Sequence, residues 1–258
     1  MRANGAQSAG SARRRRAAAA WSRAIGGRRG EPFAALPLMA RLVFDLDGTL
    51  VDSNPTLWAT GSALLAEIGR PPVSEETSAG FVGKGVAALV EGLLRHTGGI
   101  PGGASAPHVA RFRALYALDP VTGTAVYPGV AEALAALAAA GHGLAVCTQK
   151  PDAPARVLLR ALGLMPPVEG FTGGDSLDVL KPDPRMLAHA AAQLPPGPVI
   201  LIGDSEVDAA TATAAGVPFL LHTRGYRLDP ATPVPHAGAF ADFADLPGLV
   251  AGLLASAP

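Results

Sequence analysis

At 258 residues the chain is long enough for one large domain, or for one domain carrying a second small one, and its 21 basic and 21 acidic residues balance. The balance hides an asymmetry: residues 1–40 hold eight Arg and one acid, leaving 13 basic and 20 acidic residues in 41–258, a mildly acidic remainder that speaks against nucleic acid as a partner. Cys147 is the only cysteine, which excludes an intrachain disulfide, and no apolar run approaches the roughly 18–20 residues of a membrane span, so a soluble, cytoplasmic protein without a membrane partner is expected.

The N-terminal segment, 1–38, contains Arg13-Arg14-Arg15-Arg16, an alanine run from Ala17 to Ala20, and Gly26-Gly27-Arg28-Arg29-Gly30. Such a composition cannot bury a core, and a disordered basic extension is expected. It reads as an organellar transit peptide, as a basic tail for anionic surfaces, or as an upstream extension with the natural start at Met39. The last fits best, because the domain that follows needs nothing before Arg41.

The chain then runs Arg41-Leu42-Val43-Phe44-Asp45-Leu46-Asp47-Gly48-Thr49-Leu50-Val51-Asp52-Ser53. Leu42-Val43-Phe44 has no polar alternation, as expected of a central parallel strand covered on both faces. In extended chain, residues i and i+2 share a side, so Asp45 and Asp47 would meet at the strand's carboxyl end, where Gly48 permits a sharp exit. Two carboxylates so close need either a shared proton or a cation. A solvated Asp-x-Asp turn is the bland alternative, but it leaves the buried acid pair without a use. The run from Asp45 to Ser53 resembles the first motif of the haloacid dehalogenase superfamily of phosphotransferases, whose members form a covalent aspartyl phosphate.

From Pro55 to about Gly123 the pattern is helical. Leu57, Leu64, Leu65 and Ile68 form one stripe, Val86, Leu89, Val90, Leu93 and Leu94 a second, and Val109 to Leu118 a third helix, with no strand-like alternation between them. Helices inserted straight after the first strand resemble the small cap of that superfamily. The expected domains are therefore a core of 39–54 and 124–258 and a helical cap of 55–123. Phe81-Val82-Gly83-Lys84-Gly85 reads as a cap loop whose glycines let backbone approach a substrate. It has no strand before it and is a poor dinucleotide fingerprint. Lys84 and the cap arginines Arg95, Arg111 and Arg113 are candidates for an anionic group.

Strand and helix then alternate: helix from Val130, strand Leu144 to Cys147, helix Pro154 to Leu162, a short strand ending near Thr172, helix from Pro184, strand Val199 to Ile202, helix to Ala215, strand Val217 to Leu221, and a closing helical stretch from Ala239 to Leu254. This order implies a Rossmann-like parallel α/β sheet with helices on both faces and ligands at the strands' carboxyl ends. Asp183 should cap the helix that starts at Pro184, and Ser205 the helix after it. The six His lack the spacing of a transition-metal site and are read as structural or surface residues.

The resemblance implies roles at those strand ends. Thr148, in Thr148-Gln149-Lys150-Pro151, stands where the superfamily has a Ser or Thr that binds the transferred phosphoryl group; Gln149 departs from the usual Asn. Lys181, in Lys181-Pro182-Asp183-Pro184, matches the lysine that neutralises the nucleophilic aspartate. Asp204 and Asp208, in Gly203-Asp204-Ser205-Glu206-Val207-Asp208, complete a Mg2+ site expected to draw on Asp45, Asp47, Asp204 and Asp208, all hard oxygen donors. Asp45 is expected to be the nucleophile and Asp47 the proton carrier. Dehalogenases of the superfamily lack an acid at the second place, which disfavours dehalogenation. Phosphonate hydrolysis would need a Schiff-base lysine from the cap, and sugar phosphate mutases share the core motifs. The cap loop, Tyr127-Pro128-Gly129-Val130, the Lys181 and Asp204 segments and Arg224-Gly225-Tyr226 together resemble phosphoglycolate phosphatases. A small phosphorylated substrate, 2-phosphoglycolate, is the implied partner; a non-catalytic binding module on the same fold is the alternative of a different class.

Overall fold

The computed structural model describes residues 39–227 and 232–256. The readings given to 1–38 lie outside the described residues. In chain order the elements are β1 (Arg41–Phe44), β2 (Val51–Asp52), α1 (Asn54–Glu67), α2 (Glu75–Ala79), α3 (Val86–His96), α4 (Ala106–Tyr116), β3 (Ala125–Val126), α5 (Val130–Ala139), β4 (Gly143–Cys147), α6 (Asp152–Ala161), β5 (Gly170–Thr172), α7 (Pro184–Ala191), β6 (Val199–Gly203), α8 (Glu206–Ala215), β7 (Phe219–His222), β8 (Gly238–Phe240) and α9 (Leu246–Ala255).

Six strands form one sheet in the order β5-β4-β1-β6-β7-β8, every pairing parallel. The unbroken apolar runs are explained by burial on both faces. Leu42 and Phe44 pack with Leu144, Val146, Ile200 and Ile202 against α5, α6 and α9, while Val43 turns to Ala145, Cys147 and Leu201 and packs against α7 and α8. Register does the rest. Phe44 pairs with Val146 on one side and Ile202 on the other, so the next residues along each strand bring Asp45, Thr148 and Asp204 out at one edge. With β1 between β4 and β6, that edge is the switch point where open parallel sheets bind ligands.

The helical insertion has its own core: Leu57, Leu64 and Leu65 of α1, Leu89, Val90, Leu93 and Leu94 of α3, and Phe112 and Tyr116 of α4 are buried together. Chain enters and leaves the insertion side by side, because β2 pairs antiparallel with β3. This two-residue ladder, α2 and β8 are absent from the sequence-based element list. The stretch expected as one closing helix from Ala239 is instead β8, a 3-10 turn at Phe243–Asp245 and then α9. Pro247 fixes the helix start, since its ring suits the first turn and no later position, and the Asp242 side chain accepts from the Ala244 N–H to shape the turn before it.

Candidate active site

Asp45, just beyond β1, is buried, and its Oδ1 accepts from the Leu46 N–H at 2.7 Å and lies 3.0 Å from Lys181 Nζ. Among the described residues its Oδ2 has no partner. Lys181 also donates to Asp208 Oδ1 at 2.7 Å, so one ammonium lies between two buried carboxylates. Asp208 is fixed from its other oxygen too: Oδ2 accepts from Ser205 Oγ at 2.7 Å and from the Ser205 N–H at 3.1 Å, which is the capping box that starts α8. Asp204 accepts from Thr49 Oγ1 at 2.6 Å and from the Tyr226 N–H at 2.7 Å. Gly48 makes the close approach possible. Its φ is +87°, and a Cβ there would collide with the Asp204 carboxylate.

The electrostatics of this cluster call for a cation. Ligand oxygens of Asp45, Asp204 and Asp208 all lie within 4.8 Å of one another. Three carboxylates and one ammonium leave a net charge of −2 in a buried space. Burial first, with Asp208 adding to it against the pull of Lys181, pushes the Asp45 carboxyl up from 3.8 to about 7. Asp204 is also raised well above the usual carboxylate range, by burial and then by Asp208 and Asp45. A divalent cation would supply the missing positive charge, and an all-carboxylate donor set suits a hard one.

Asp47, expected in the same metal site, is not part of that cluster. Its Oδ1 accepts from Ser53 Oγ at 2.6 Å and from Lys150 Nζ at 2.7 Å, while its Oδ2 has no partner among the described residues. The physical reason is Lys150, a buried ammonium that has taken this carboxylate as its counter-charge. Burial alone would lower the Lys150 pKa, but Asp47 and Tyr116 outweigh it and the value is raised. Thr148 is buried at the end of β4, and its Oγ1 accepts from the Lys150 N–H at 3.1 Å, which leaves its own O–H to donate. Gln149 donates from Nε2 to the Gly83 carbonyl at 2.8 Å, tying the strand end to the loop before α3.

Asp45, Asp47, Thr148, Gln149 and Lys150 line a cavity of about 250 Å³ closed by Val82, Gly83, Gly85, Leu89, Phe112 and Tyr116 of the insertion. Of the basic candidates in the insertion, only Arg113 lines it. Lys84 is exposed and is not part of the lining, Arg95 pairs with Glu91, and Arg111 pairs with Glu67.

A family model described as haloacid dehalogenase-like hydrolase matches residues 39–216. The chain belongs to the haloacid dehalogenase-like hydrolase family. Among curated relatives, it is 44% identical over 218 residues to a phosphoglycolate phosphatase of Cereibacter sphaeroides, a match covering 84% of this chain and 100% of the relative. It is 41% identical over 212 residues to a phosphoglycolate phosphatase of Rhodobacter capsulatus, covering 82% and 96% of the two chains. Among solved structures, that of a predicted phosphoglycolate phosphatase from Haemophilus somnus superposes with a TM-score of 0.75 at 28% identity, covering 82% of this chain and 98% of the other.

As a haloacid dehalogenase-like hydrolase, the chain brings Asp45, Asp47, Thr148, Lys181, Asp204 and Asp208 to one strand edge. Four further residues at this edge escaped the sequence reading of roles. Lys150 follows Thr148 by two positions, a basic residue at a buried strand end, which was the available signal. Ser53 and Thr49 lie within the first motif itself. Tyr226, flagged only as part of Arg224-Gly225-Tyr226, holds Asp204 through its N–H, and its hydroxyl meets Asp52 and accepts from the Ser53 and Asn54 N–H groups at 2.8 and 2.9 Å. No helix among the described residues is long and apolar enough to cross a membrane.

Proposed function

We propose that this chain is a Mg2+-dependent phosphomonoester hydrolase that converts 2-phosphoglycolate to glycolate and phosphate through an aspartyl phosphate. The observation that carries the reading is a division of labour at one cavity: a buried Asp45 held through one oxygen by Lys181, and beside it Asp47 with one oxygen left without a partner. The substrate is supported by the phosphoglycolate phosphatase relatives, which match over 96–100% of their own lengths.

Asp45 attacks phosphorus through Oδ2, since Oδ1 is committed to Lys181 and the Leu46 N–H. As the ester P–O bond breaks, Asp47 passes to the leaving oxygen a proton it has taken up with the substrate on the Oδ2 that Lys150 leaves unpaired; it then takes a proton from the water that attacks the phosphoryl group and frees Asp45. Thr148 donates its O–H to a phosphoryl oxygen, and Lys181 offsets the charge of the attacking carboxylate. Asp45, Asp204 and Asp208 would hold the cation, whose charge, when it is bound, shields the nucleophile from the phosphoryl oxygens. Asp208, clamped by Lys181 and Ser205, serves mainly to place Lys181 and the start of α8.

The proposed domains are a core of 39–54 and 124–258 and a cap of 55–123, a division supported by the β2–β3 ladder beside its boundaries. A cytoplasmic location accords with a metabolite-sized substrate. The test is phosphate release from 2-phosphoglycolate, pyrophosphate, nucleoside monophosphates and hexose phosphates, each with Mg2+ and with EDTA. Metal-dependent preference for 2-phosphoglycolate is expected, and a clear preference for another compound overturns the substrate. Asp45→Asn should abolish turnover with the folded circular dichroism spectrum retained; residual turnover at the wild-type rate would sink the mechanism.

A further inference from the structure

Lys150 is a buried cation that the proposed chemistry does not use. It is 6% exposed, its Nζ lies 2.7 Å from Asp47 Oδ1 and 4.9 Å from the centre of the Tyr116 ring, and it lines the cavity. Leu57, Val82, Val86, Leu89 and Phe112 make most of the surrounding lining apolar, and Lys150 and Arg113 are its basic residues. Arg113 is exposed; Lys150 is not. Burying an ammonium is costly unless its charge and its N–H groups are satisfied. An ammonium has three donors, and here Asp47 takes one and Tyr116 of α4, whose ring lies beside the ammonium and whose hydroxyl is a hydrogen-bond partner, takes another, which leaves the third. Elsewhere in the same site the molecule satisfies a buried lysine differently, placing Lys181 between two carboxylates at 3.0 and 2.7 Å. Lys150 has one carboxylate and Tyr116, and it lines the cavity.

We infer that Lys150 binds the carboxylate of the substrate and thereby sets a preference for phosphoesters that carry a carboxylate on the carbon next to the ester oxygen. The inference rests on the phosphomonoesterase reading above. Its geometry follows from covalent structure. A proton carrier stands within roughly 2.6–3.2 Å of the ester oxygen, and in such a substrate a carboxylate oxygen lies only about 3 Å from that ester oxygen by ordinary bond lengths. An ammonium 2.7 Å from the Asp47 carboxylate can therefore reach the substrate's carboxylate with one hydrogen bond. A phosphoester with no second anion leaves this donor without a partner, which makes the preference twofold in origin: an attraction gained and a buried charge left unmatched.

The experiment compares kcat/KM for 2-phosphoglycolate with that for 2-hydroxyethyl phosphate, the same ester with the carboxylate replaced by CH2OH, in wild type, Lys150→Met, Lys150→Gln and Arg113→Met. The ratio of the two values should fall by about 30-fold or more in both Lys150 variants, the low end of what removing one partner of a buried charge pair costs, and chiefly through KM for 2-phosphoglycolate. An unaltered ratio in the Lys150 variants overturns the inference however low both activities become, as does loss of the ratio in Arg113→Met alone. If neither Lys150 variant folds, lysine 15Nζ spectra of Asp45→Asn decide, because the chain has only Lys84, Lys150 and Lys181. The Lys150 signal should shift with 2-phosphoglycolate and not with 2-hydroxyethyl phosphate; equal shifts refute the role. A wild type that does not hydrolyse 2-phosphoglycolate refutes the substrate reading itself, whereas hydrolysis with unaltered ratios refutes only Lys150.

Discussion

In the metal-free protein, Asp45 should make folding stability fall as pH rises from 4 to 7. Its carboxyl titrates at about 7 against an ordinary 3.8, since burial and Asp208 outweigh Lys181 and the Leu46 N–H. Between those values the native state keeps a proton that the unfolded chain has released, so the free energy of unfolding declines by about 1.4 kcal/mol per pH unit. Over the interval from 3.8 to about 7 the decline amounts to roughly 4 kcal/mol and is complete above pH 7. Asp45→Asn has the same shape and no charge, so it escapes this share of the decline and keeps that of Asp204, whose carboxyl burial also raises. The assay is urea unfolding of both proteins in EDTA from pH 4.5 to 8, and the quantity is the difference between them. That difference cancels His142 and His222, which burial holds below their ordinary values and which destabilise both proteins alike as pH falls through 6.5. It should widen by about 4 kcal/mol in favour of the variant toward pH 8. Adding Mg2+ should close it, because a cation favours the ionised wild-type carboxylate. Curves that stay parallel in EDTA would refute the reasoning and with it the electrostatic case for a cation.

Two further substitutions probe the approach of the chain to this site. Gly48→Ala puts a Cβ at φ +87° against the Asp204 carboxylate and 2.9 Å from the Tyr226 ring; a loss of about 2–3 kcal/mol and a fall in Tm of roughly 5–10 °C are expected by calorimetry, and a wild-type melt would contradict the strain. Gln149→Ala removes the 2.8 Å bond to the Gly83 carbonyl; at about 1 kcal/mol for such a bond it should raise KM roughly fivefold with kcat nearly unchanged in steady-state kinetics, and a loss confined to kcat would show that the contact serves chemistry instead of cap docking.

The central strands were legible because burial on both faces leaves an unbroken apolar signature: Leu42 to Phe44, Leu144 to Cys147 and Val199 to Ile202 need no tertiary information. The helix starts at Pro184 and Glu206 were legible for a local reason as well, since Asp183 and Ser205 each cap their helix through bonds spanning two or three residues. The β2–β3 ladder left no such trace. Its partners, Val51 and Val126, are 75 positions apart in the numbering and each strand is only two residues long. β8 was hidden because Gly238-Ala239-Phe240 has neither the length nor the β-branched content of a strand and borrows its order from β7. The same distinction governs the site. Asp45, Lys181, Asp204 and Asp208 could be found because each sits at a recognisable strand end or helix start. The partner of Asp47 could not, because the pair Asp47–Lys150 spans 103 residues and exists only once β1 and β4 lie side by side.

That pairing changes how the site's charge is to be counted. Asp45, Asp204 and Asp208 with Lys181 carry −2 when all are ionised, and Asp47 with Lys150 carries none, so the two groups of charges are separately arranged at one edge of the sheet. Lys150 pairs with Asp47 through Oδ1 and leaves its Oδ2 without a partner among the described residues, while Lys181 fixes Asp45 through Oδ1 and leaves its Oδ2 likewise. Each lysine thus orients one carboxylate and leaves its other oxygen available, which the proposed mechanism uses for attack on phosphorus in one case and for proton transfer in the other. Two chemically identical side chains two residues apart stand in distinct electrostatic surroundings, each set by the ammonium group beside it.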